Sequence, residues 1–169
     1  SRVLKRAFKA FYQNDPNILE SLMEEALELE LKRTYYLCAL CLSVSQKDFK
    51  VSRRLIRELE ERMSTFDDYM LEVFGTLAVI HAFQTNAYVE GLKLLNSMES
   101  RQGSDQYIGA LTDMYGFLIK QKLHRKTESI RHYTAAMNTL TKYHQTDYLT
   151  MLRLYHINFL ISEAPKEAI

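Results

Sequence analysis

The chain has 169 residues, of which 47% are apolar and 25% are charged, and its formal net charge is +1. A chain of this length fits one domain, which buries about 70% of the surface of its unfolded state. The near-zero charge argues against a dedicated nucleic-acid binder, because such proteins normally carry a strong basic excess. No run approaches about 18 consecutive apolar residues, so the sequence predicts no membrane span.

Residues 17–164 contain no proline and none of the dipeptides, such as Asn-Gly, that are typical of strand hairpins. Apolar residues recur with helical spacing instead, which predicts an all-α fold joined by short loops. The pattern predicts nine helices, at residues 3–13, 16–31, 34–44, 48–63, 66–81, 86–99, 105–122, 127–143 and 147–162.

Three helix starts carry capping signals. Asp15 is a candidate N-cap with Pro16 in the first helical position, and Asp48 is a candidate N-cap for the fourth helix. The segment Ser64–Asp68 places hydroxyls three residues ahead of acids, which is a capping-box pattern for the fifth helix.

A tyrosine-led helical segment recurs along the chain. Its copies begin at Tyr36, Tyr69, Tyr107 and Tyr148, at intervals of 33, 38 and 41 residues. A period in this range is typical of helix–turn–helix repeats, in which each pair buries its apolar face against its neighbours. We therefore expect a single domain over residues 1–169, built as a curved array of stacked helical hairpins. The concave side of such an array is a binding surface.

Polar residues form stripes on the tyrosine-led helices, opposite their apolar residues. The stripes consist of Asp68, Glu72 and Thr76 on the fifth helix, Gly109, Thr112, Asp113, Gly116 and Lys120 on the seventh, and Thr150, Arg153 and Asn158 on the ninth. They indicate either a solvated surface or a groove for an extended peptide. Arg suits a ligand carboxylate and Asn suits peptide backbone groups. The candidate peptide-binding residues are Glu72, Thr76, Asp113, Arg153 and Asn158.

The sequence offers little that could carry catalysis. Cys38 and Cys41 form a C-x-x-C in the middle of a helix, which favours core packing over a redox or a metal role. His81 and His156 occupy matching late positions of tyrosine-led helices. This placement indicates either interior residues or ligand contacts. There is no phosphate-binding Gly-rich loop and no recognisable catalytic triad. We expect no enzymatic activity.

Two further features each allow two interpretations. Gly75, Gly91, Gly109 and Gly116 lie inside helical patterns, which indicates close helix packing or a surface that a ligand backbone approaches. One interhelical loop is surrounded by the basic residues Lys120, Lys122, His124, Arg125 and Lys126. These residues indicate either a solvated loop or a contact for an acidic partner or nucleic acid.

The segment Phe66-Asp-Asp-Tyr-Met-Leu-Glu-Val-Phe-Gly-Thr76 resembles the aromatic-x-x-Tyr-Glu-Leu-x-Leu-Phe-x-Asn segment of Rgg/GadR/MutR transcriptional regulators, in their C-terminal domain. The Asn14-Asp15 turn, the acidic helix after it and the segment Arg33–Cys38 are similar to the opening of the same domain. The chain departs from the family pattern at Phe66, Met70 and Thr76, where Trp, Glu and Asn are usual.

The resemblance implies a cytoplasmic, peptide-sensing domain of a quorum-sensing regulator, built as a tetratricopeptide-like right-handed superhelical array. It implies a short signalling peptide and a second copy of the chain, in a homodimer, as partners, and neither a metal nor a cofactor. DNA would be bound only through an N-terminal helix-turn-helix domain, which is absent from this chain. The chain begins at Ser1 without a Met, so we expect it to be a fragment. The alternative is a helical-repeat scaffold for protein–protein contact without a small ligand.

Overall fold

The computed structural model describes residues 1–98, 105–142 and 146–163, and these ranges contain helices and no strand. The prediction of an all-α fold is confirmed. The nine α-helices of the described ranges are α1 Arg2–Tyr12, α2 Pro16–Glu28, α3 Lys32–Ser45, α4 Phe49–Glu60, α5 Asp68–Gln84, α6 Tyr88–Met98, α7 Gln106–Lys122, α8 Lys126–Lys142 and α9 Thr146–Glu163, with a short 3₁₀ helix at Met63–Thr65. The helix ends predicted at residues 99 and 143 lie outside the described residues.

The chain forms two compact units, Ser1–Gly103 and Ser104–Ile169. In the first unit, α1 packs on α2 and α3, α3 packs on α2, α4 and α5, and α6 packs on α5. In the second unit, α7 and α8 form the main contact and α9 packs against both. The prediction of one domain with superhelical curvature stays a prediction.

The predicted N-caps explain where two of the helices begin. The carboxylate of Asp15 accepts a hydrogen bond from the backbone N–H of Ile18, with Pro16 in the first turn, and Asp48 does the same for Val51. At α5 the predicted hydroxyl cap is wrong. Asp67 is the N-cap and accepts from the N–H of Met70, because Ser64 and Thr65 belong to the preceding 3₁₀ helix.

Five of the helices end in the same turn. A residue with φ between 54° and 63° follows the C-cap, and the five residues are Asn14, Glu30, Lys47, Asn86 and His124. The N–H of Asn14 bonds to the carbonyl of Phe11, and the N–H of Asp15 bonds to the carbonyl of Ala10, as in a Schellman motif. The other four turns repeat both bonds. These bonds offset the cost of about 1–2 kcal/mol for a non-glycine residue in the left-handed region.

The turns set the register of three successive helical hairpins. Lys47, Asn86 and His124 are the left-handed residues of the α3/α4, α5/α6 and α7/α8 turns, and they lie 39 and 38 residues apart. Tyr69 and Tyr107 are both the second residue of their helices, whereas Tyr36 is the fifth residue of α3. The turns are therefore a better marker of the repeat than the tyrosines, because Tyr36 is out of register with the later copies.

Candidate functional site

The two candidate site residues of the first unit, Glu72 and Thr76, lie on α5. Glu72 is half-buried. Thr76 is only 1% exposed, and its hydroxyl donates to the backbone carbonyl of Glu72 at 2.8 Å. In the hairpin register, in which positions are counted from the left-handed residue of each turn, Thr76 corresponds to Leu37 and Met114. These two residues are 0% and 1% exposed. The prediction that Thr76 belongs to an open polar stripe is therefore wrong.

The physical reason lies in the composition of α5 around Thr76. The residues from Thr76 to Ile80 are all buried, and so are Val73 and Phe74 before them. A helix that is apolar around its whole circumference is buried rather than amphipathic. The hydroxyl of Thr76 fits this environment because its donor is satisfied within the helix.

The candidate residue Asp113 lies on α7 in the second unit and bonds to α8. Its side chain is 29% exposed, and its Oδ1 atom lies 3.2 Å from Nδ1 of His132. Oδ2 has no hydrogen-bond or ion-pair partner among the residues that the structure describes. One carboxylate oxygen is therefore used inside the hairpin, and the other is available.

A buried lysine lies on the other side of the same imidazole. Nζ of Lys120 lies 2.8 Å from Nε2 of His132 and 3.5 Å from Oε2 of Glu128, and the Lys120 side chain is only 2% exposed. The prediction that Lys120 belongs to a polar stripe or to a solvated loop is wrong. The polar face of α7 packs against α8, because the ammonium group finds a carboxylate and an imidazole there.

The hydrogen-bond chain fixes the tautomer of His132. A lysine ammonium has only donors, so Nε2 of His132 accepts from Lys120. Nδ1 then carries the ring proton and donates a hydrogen bond to the carboxylate of Asp113. The chain Glu128–Lys120–His132–Asp113 therefore has a carboxylate at each end, one ammonium and a neutral imidazole. We call these four residues the polar relay.

Gly116 makes room for the imidazole. A Cβ atom on Gly116 would lie 2.9 Å from Nδ1 of His132, closer than real side chains approach. In the hairpin register Gly116 corresponds to Ala39 and Ala78, and His132 corresponds to Leu55 and Leu94. The third hairpin thus combines a larger ring with a smaller partner. The close-packing interpretation holds at Gly116, whereas a Cβ on Gly109 would meet nothing within 4 Å.

The remaining two candidates, Arg153 and Asn158, lie on α9. Both side chains are exposed, and Arg153 forms no ion pair with the residues that the structure describes. They share the second unit with Asp113. The structure therefore divides the five candidates between the two units, with Glu72 and Thr76 in the first.

The α9 helix is apolar on two sides. On its packed side, Leu152 is 1% exposed, and the ring of His156 stacks on Tyr133 with centroids 4.3 Å apart. On its other side, Leu154, Ile157 and Ile161 follow one another at i, i+3 and i+7 and are 56%, 51% and 51% exposed. Apolar stripes of this kind mark contact surfaces.

The C-x-x-C cysteines are part of the core. Both side chains are 0% exposed and neither forms a disulfide. Burial raises the pKa of the Cys38 thiol to about 12, and burial, with the charge of Cys38 second, raises the pKa of Cys41 well above its usual value. A thiol in this environment is a poor nucleophile, which favours the core-packing interpretation.

His81 lies inside the first unit. Its Nδ1 atom lies 2.8 Å from the hydroxyl of Ser52, and its ring meets Phe49 edge to face. Burial lowers the pKa of His81, and the positive charge of Arg53 lowers it further. Ser52 is 0% exposed, so no substrate reaches its hydroxyl in this structure. The pair therefore stabilises the packing of α4 on α5.

Two kinds of feature are absent from the described part of the chain. No group of three or more His, Cys, Asp or Glu side chains there is arranged to hold a metal ion. None of the helices in the same ranges is both long enough and apolar enough to cross a membrane.

Comparison with protein-family models, with curated proteins and with solved structures finds no match for this chain. Membership of the Rgg/GadR/MutR family therefore stays a prediction from the resembling segments.

The polar relay is the feature that sequence reasoning missed, and a signal for it exists. In an antiparallel hairpin, residues at equal distances from the turn face each other. Lys120 and Glu128 each lie four residues from His124, and Gly116 and His132 each lie eight residues from it. Opposite charges and a Gly–His pair placed symmetrically about a turn predict these contacts once the turn is located.

Proposed function

We propose that this chain is the ligand-sensing domain of a transcriptional regulator, in which a short signalling peptide controls an attached DNA-binding domain. The observation that carries the proposal is the register of the hairpins, whose turns at Lys47, Asn86 and His124 repeat at 39 and 38 residues with the same hydrogen bonds. Hairpin repeats of this length form arrays that present extended surfaces to ligands. The similarity of the segment 66–76 to Rgg/GadR/MutR regulators adds the peptide and the transcriptional role.

The exposed polar groups of the second unit fit a peptide ligand. Arg153 offers a guanidinium group to a carboxylate, and Asn158 offers both a donor and acceptors to a peptide backbone. Asp113 offers a carboxylate oxygen that has no partner among the described residues. In the first unit, half-buried Glu72 remains a candidate contact, whereas Thr76 supports the core of α5.

The proposed homodimer is supported by the apolar stripe on α9. Burial of Leu154, Ile157 and Ile161 in an interface would remove their exposed apolar surface from water, at about 25 cal/mol per Å². Three residues alone make a small contact, since stable interfaces bury about 800 Å² on each partner. The stripe would therefore be one part of a larger dimer contact.

Regulation requires that the peptide bind one arrangement of the helices more tightly than another. A ligand with equal affinity for two arrangements shifts neither population, however tightly it binds. In this proposal the favoured arrangement repositions the attached DNA-binding domains. A cytoplasmic location follows from this role.

Isothermal titration calorimetry tests the proposal. The ligands are a panel of short hydrophobic peptides that are encoded in the same genome as the chain. We expect at least one peptide to bind, and Arg153→Gln to weaken its binding about tenfold, which is about 1.4 kcal/mol. The matched control is Arg54→Gln, because Arg54 is an exposed helical arginine of α4 in the first unit. No heat from any peptide with the folded protein would contradict peptide sensing.

A repeat scaffold for a folded protein partner is the second candidate function, and the apolar stripe on α9 favours it. Affinity capture distinguishes the two functions. Recovery of a stoichiometric folded partner, lost in Ile157→Glu but retained in Arg153→Gln, would support the scaffold. The same capture with no partner, together with a peptide that binds in calorimetry, would exclude it.

A further inference from the structure

We propose that Asp113 is an anchor for a cationic group of the ligand, and that His132 and Lys120 are positioning residues that hold its carboxylate ready. The inference rests on the proposed function for the idea that the ligand is a peptide. The cation is either an N-terminal ammonium group or a basic side chain, since both present the same chemistry to a carboxylate.

The first argument is the unused hydrogen-bond acceptor capacity of the Asp113 carboxylate. An ionised carboxylate has about four acceptor sites. Here Oδ1 bonds to His132, while Oδ2 has no partner in the described part of the chain, and the side chain is 29% exposed. An ammonium group placed at Oδ2 would form a charge-assisted hydrogen bond, which is roughly twice as strong as a neutral one.

The second argument is the charge balance of the polar relay. Glu128 and Lys120 form an ion pair, and the imidazole of His132 is neutral because it accepts from Lys120 and donates to Asp113. Arg125 also pairs with Glu128, at 3.7 Å, so both positive charges lie at the Glu128 end of the relay. Among the described residues, the negative charge of Asp113 contacts only the imidazole. A cationic ligand group would balance that charge.

The third argument is that the geometry of the carboxylate is fixed before a ligand arrives. The imidazole of His132 is held by Lys120 at Nε2 and by Asp113 at Nδ1, and it lies against Gly116. Lys120 is 2% exposed and His132 is 7% exposed, so solvent competes little for these bonds. A side chain that is already ordered loses less conformational entropy when it binds, which favours affinity.

The test uses three small probes that differ in whether they carry an ammonium group and in where that group lies. The three probes are leucyl-leucinamide with a free N-terminal ammonium, its N-acetylated form, and N-acetyl-lysinamide with only a side-chain ammonium. Each is titrated into the full chain while NMR follows the carboxyl ¹³C of Asp113 and the ring ¹⁵N nuclei of His132. We expect at least one charged probe to shift both residues, with at least tenfold higher affinity than the acetylated dipeptide, and the better probe identifies the source of the cation.

Substitutions at Asp113 test the site itself. We expect Asp113→Asn to lower the affinity for the charged probe at least tenfold, because it removes the charge and keeps the shape. The matched control is Glu90→Gln, which neutralises an exposed helical carboxylate of the first unit and should change the affinity less than twofold. Equal affinity for the charged and acetylated probes, or no effect of Asp113→Asn, would overturn the proposal.

Two substitutions at His132 separate positioning from mere packing. The amide nitrogen of Asn takes the place of Nδ1, so His132→Asn keeps the donor to Asp113 and should bind within about threefold of the unmodified chain. The amide of Gln takes the place of Nε2, so His132→Gln loses that donor and should lower the affinity at least tenfold. Equal binding by the two variants would refute a positioning role, and circular dichroism checks that both are folded.

The outcomes also separate this inference from the proposed function. A genomic peptide that binds equally well to the unmodified chain and to Asp113→Asn would refute the anchor and leave peptide sensing intact. A charged probe that shifts Asp113 and His132, in a chain that binds no genomic peptide, would support the cation site and contradict peptide sensing.

Discussion

Nζ of Lys120 lies 2.8 Å from Nε2 of His132, at hairpin positions that small and aliphatic residues occupy elsewhere in the chain. Lys120 corresponds to Ser43 and Ala82 in the two preceding hairpins, and His132 corresponds to Leu55 and Leu94. The α7/α8 hairpin therefore has a buried hydrogen bond where the two preceding hairpins have a small residue and a leucine. Buried polar groups stabilise a structure only while all of them are satisfied.

Replacing Lys120 should destabilise the protein, because His132 loses the hydrogen bond that its Nε2 atom accepts. Lys120→Ala removes the donor to Nε2 of His132 and leaves a cavity, so we expect a loss of about 2–3 kcal/mol in the free energy of unfolding. Lys122→Ala, an exposed position in the same last turn of α7, should change it by less than about 0.5 kcal/mol. Urea denaturation measures both, and equal effects would show that the Lys120–His132 bond contributes nothing.

The two glycines of α7 should respond to alanine with opposite signs. Gly109→Ala meets open space and should raise the free energy of unfolding by about 0.5–1 kcal/mol, because glycine loses more entropy on folding. Gly116→Ala places a Cβ 2.9 Å from the His132 ring, which is bonded on both sides, so we expect a loss of about 1–3 kcal/mol. The midpoints of urea denaturation give both values. A stabilising Gly116→Ala would contradict the packing described for His132.

The two thiols should be unreactive in the folded protein. Both are fully buried and their pKa values are raised, that of Cys38 to about 12, so few thiolates form near neutral pH. We expect Ellman's reagent to modify neither cysteine in native buffer and both in concentrated guanidinium chloride. Rapid modification of one thiol in the native protein would indicate that α3 opens locally.

The stability of the first unit should fall as the pH is lowered through the range of histidine titration. The pKa of His81 is lowered from 6.5 in the folded state, so the unfolded chain binds the proton more tightly. The stabilisation is complete above 6.5 and is lost as the pH falls from there through the lowered folded value. His81→Asn keeps a polar group near the Ser52 hydroxyl and does not titrate. Urea midpoints from about pH 7.5 to 5.5 should therefore fall less steeply in this variant.

Helix positions and caps could be read directly from the sequence. The 3.6-residue periodicity located all nine helices of the described ranges, and Asp15, Pro16 and Asp48 marked two helix starts. Both are local features, because the bonds that form a helix and its cap join residues three or four positions apart. At α5 the sequence predicts a hydroxyl cap, whereas the carboxylate of Asp67 is the N-cap, since hydroxyls and acids within the same few residues compete as acceptors for the free N–H groups.

The faces of the helices were decided by tertiary structure. Around Thr76 the sequence of α5 is apolar on all sides, so periodicity does not distinguish a buried face from an open one. On α7 the polar pattern predicted an open face, yet Lys120 is buried because Glu128 and His132, from the next helix, satisfy its charge and its hydrogen bonds. The sequence by itself determined which residues are helical, since those interactions are local. Only the packing of one helix on another determined which polar side chains remain free to meet a ligand.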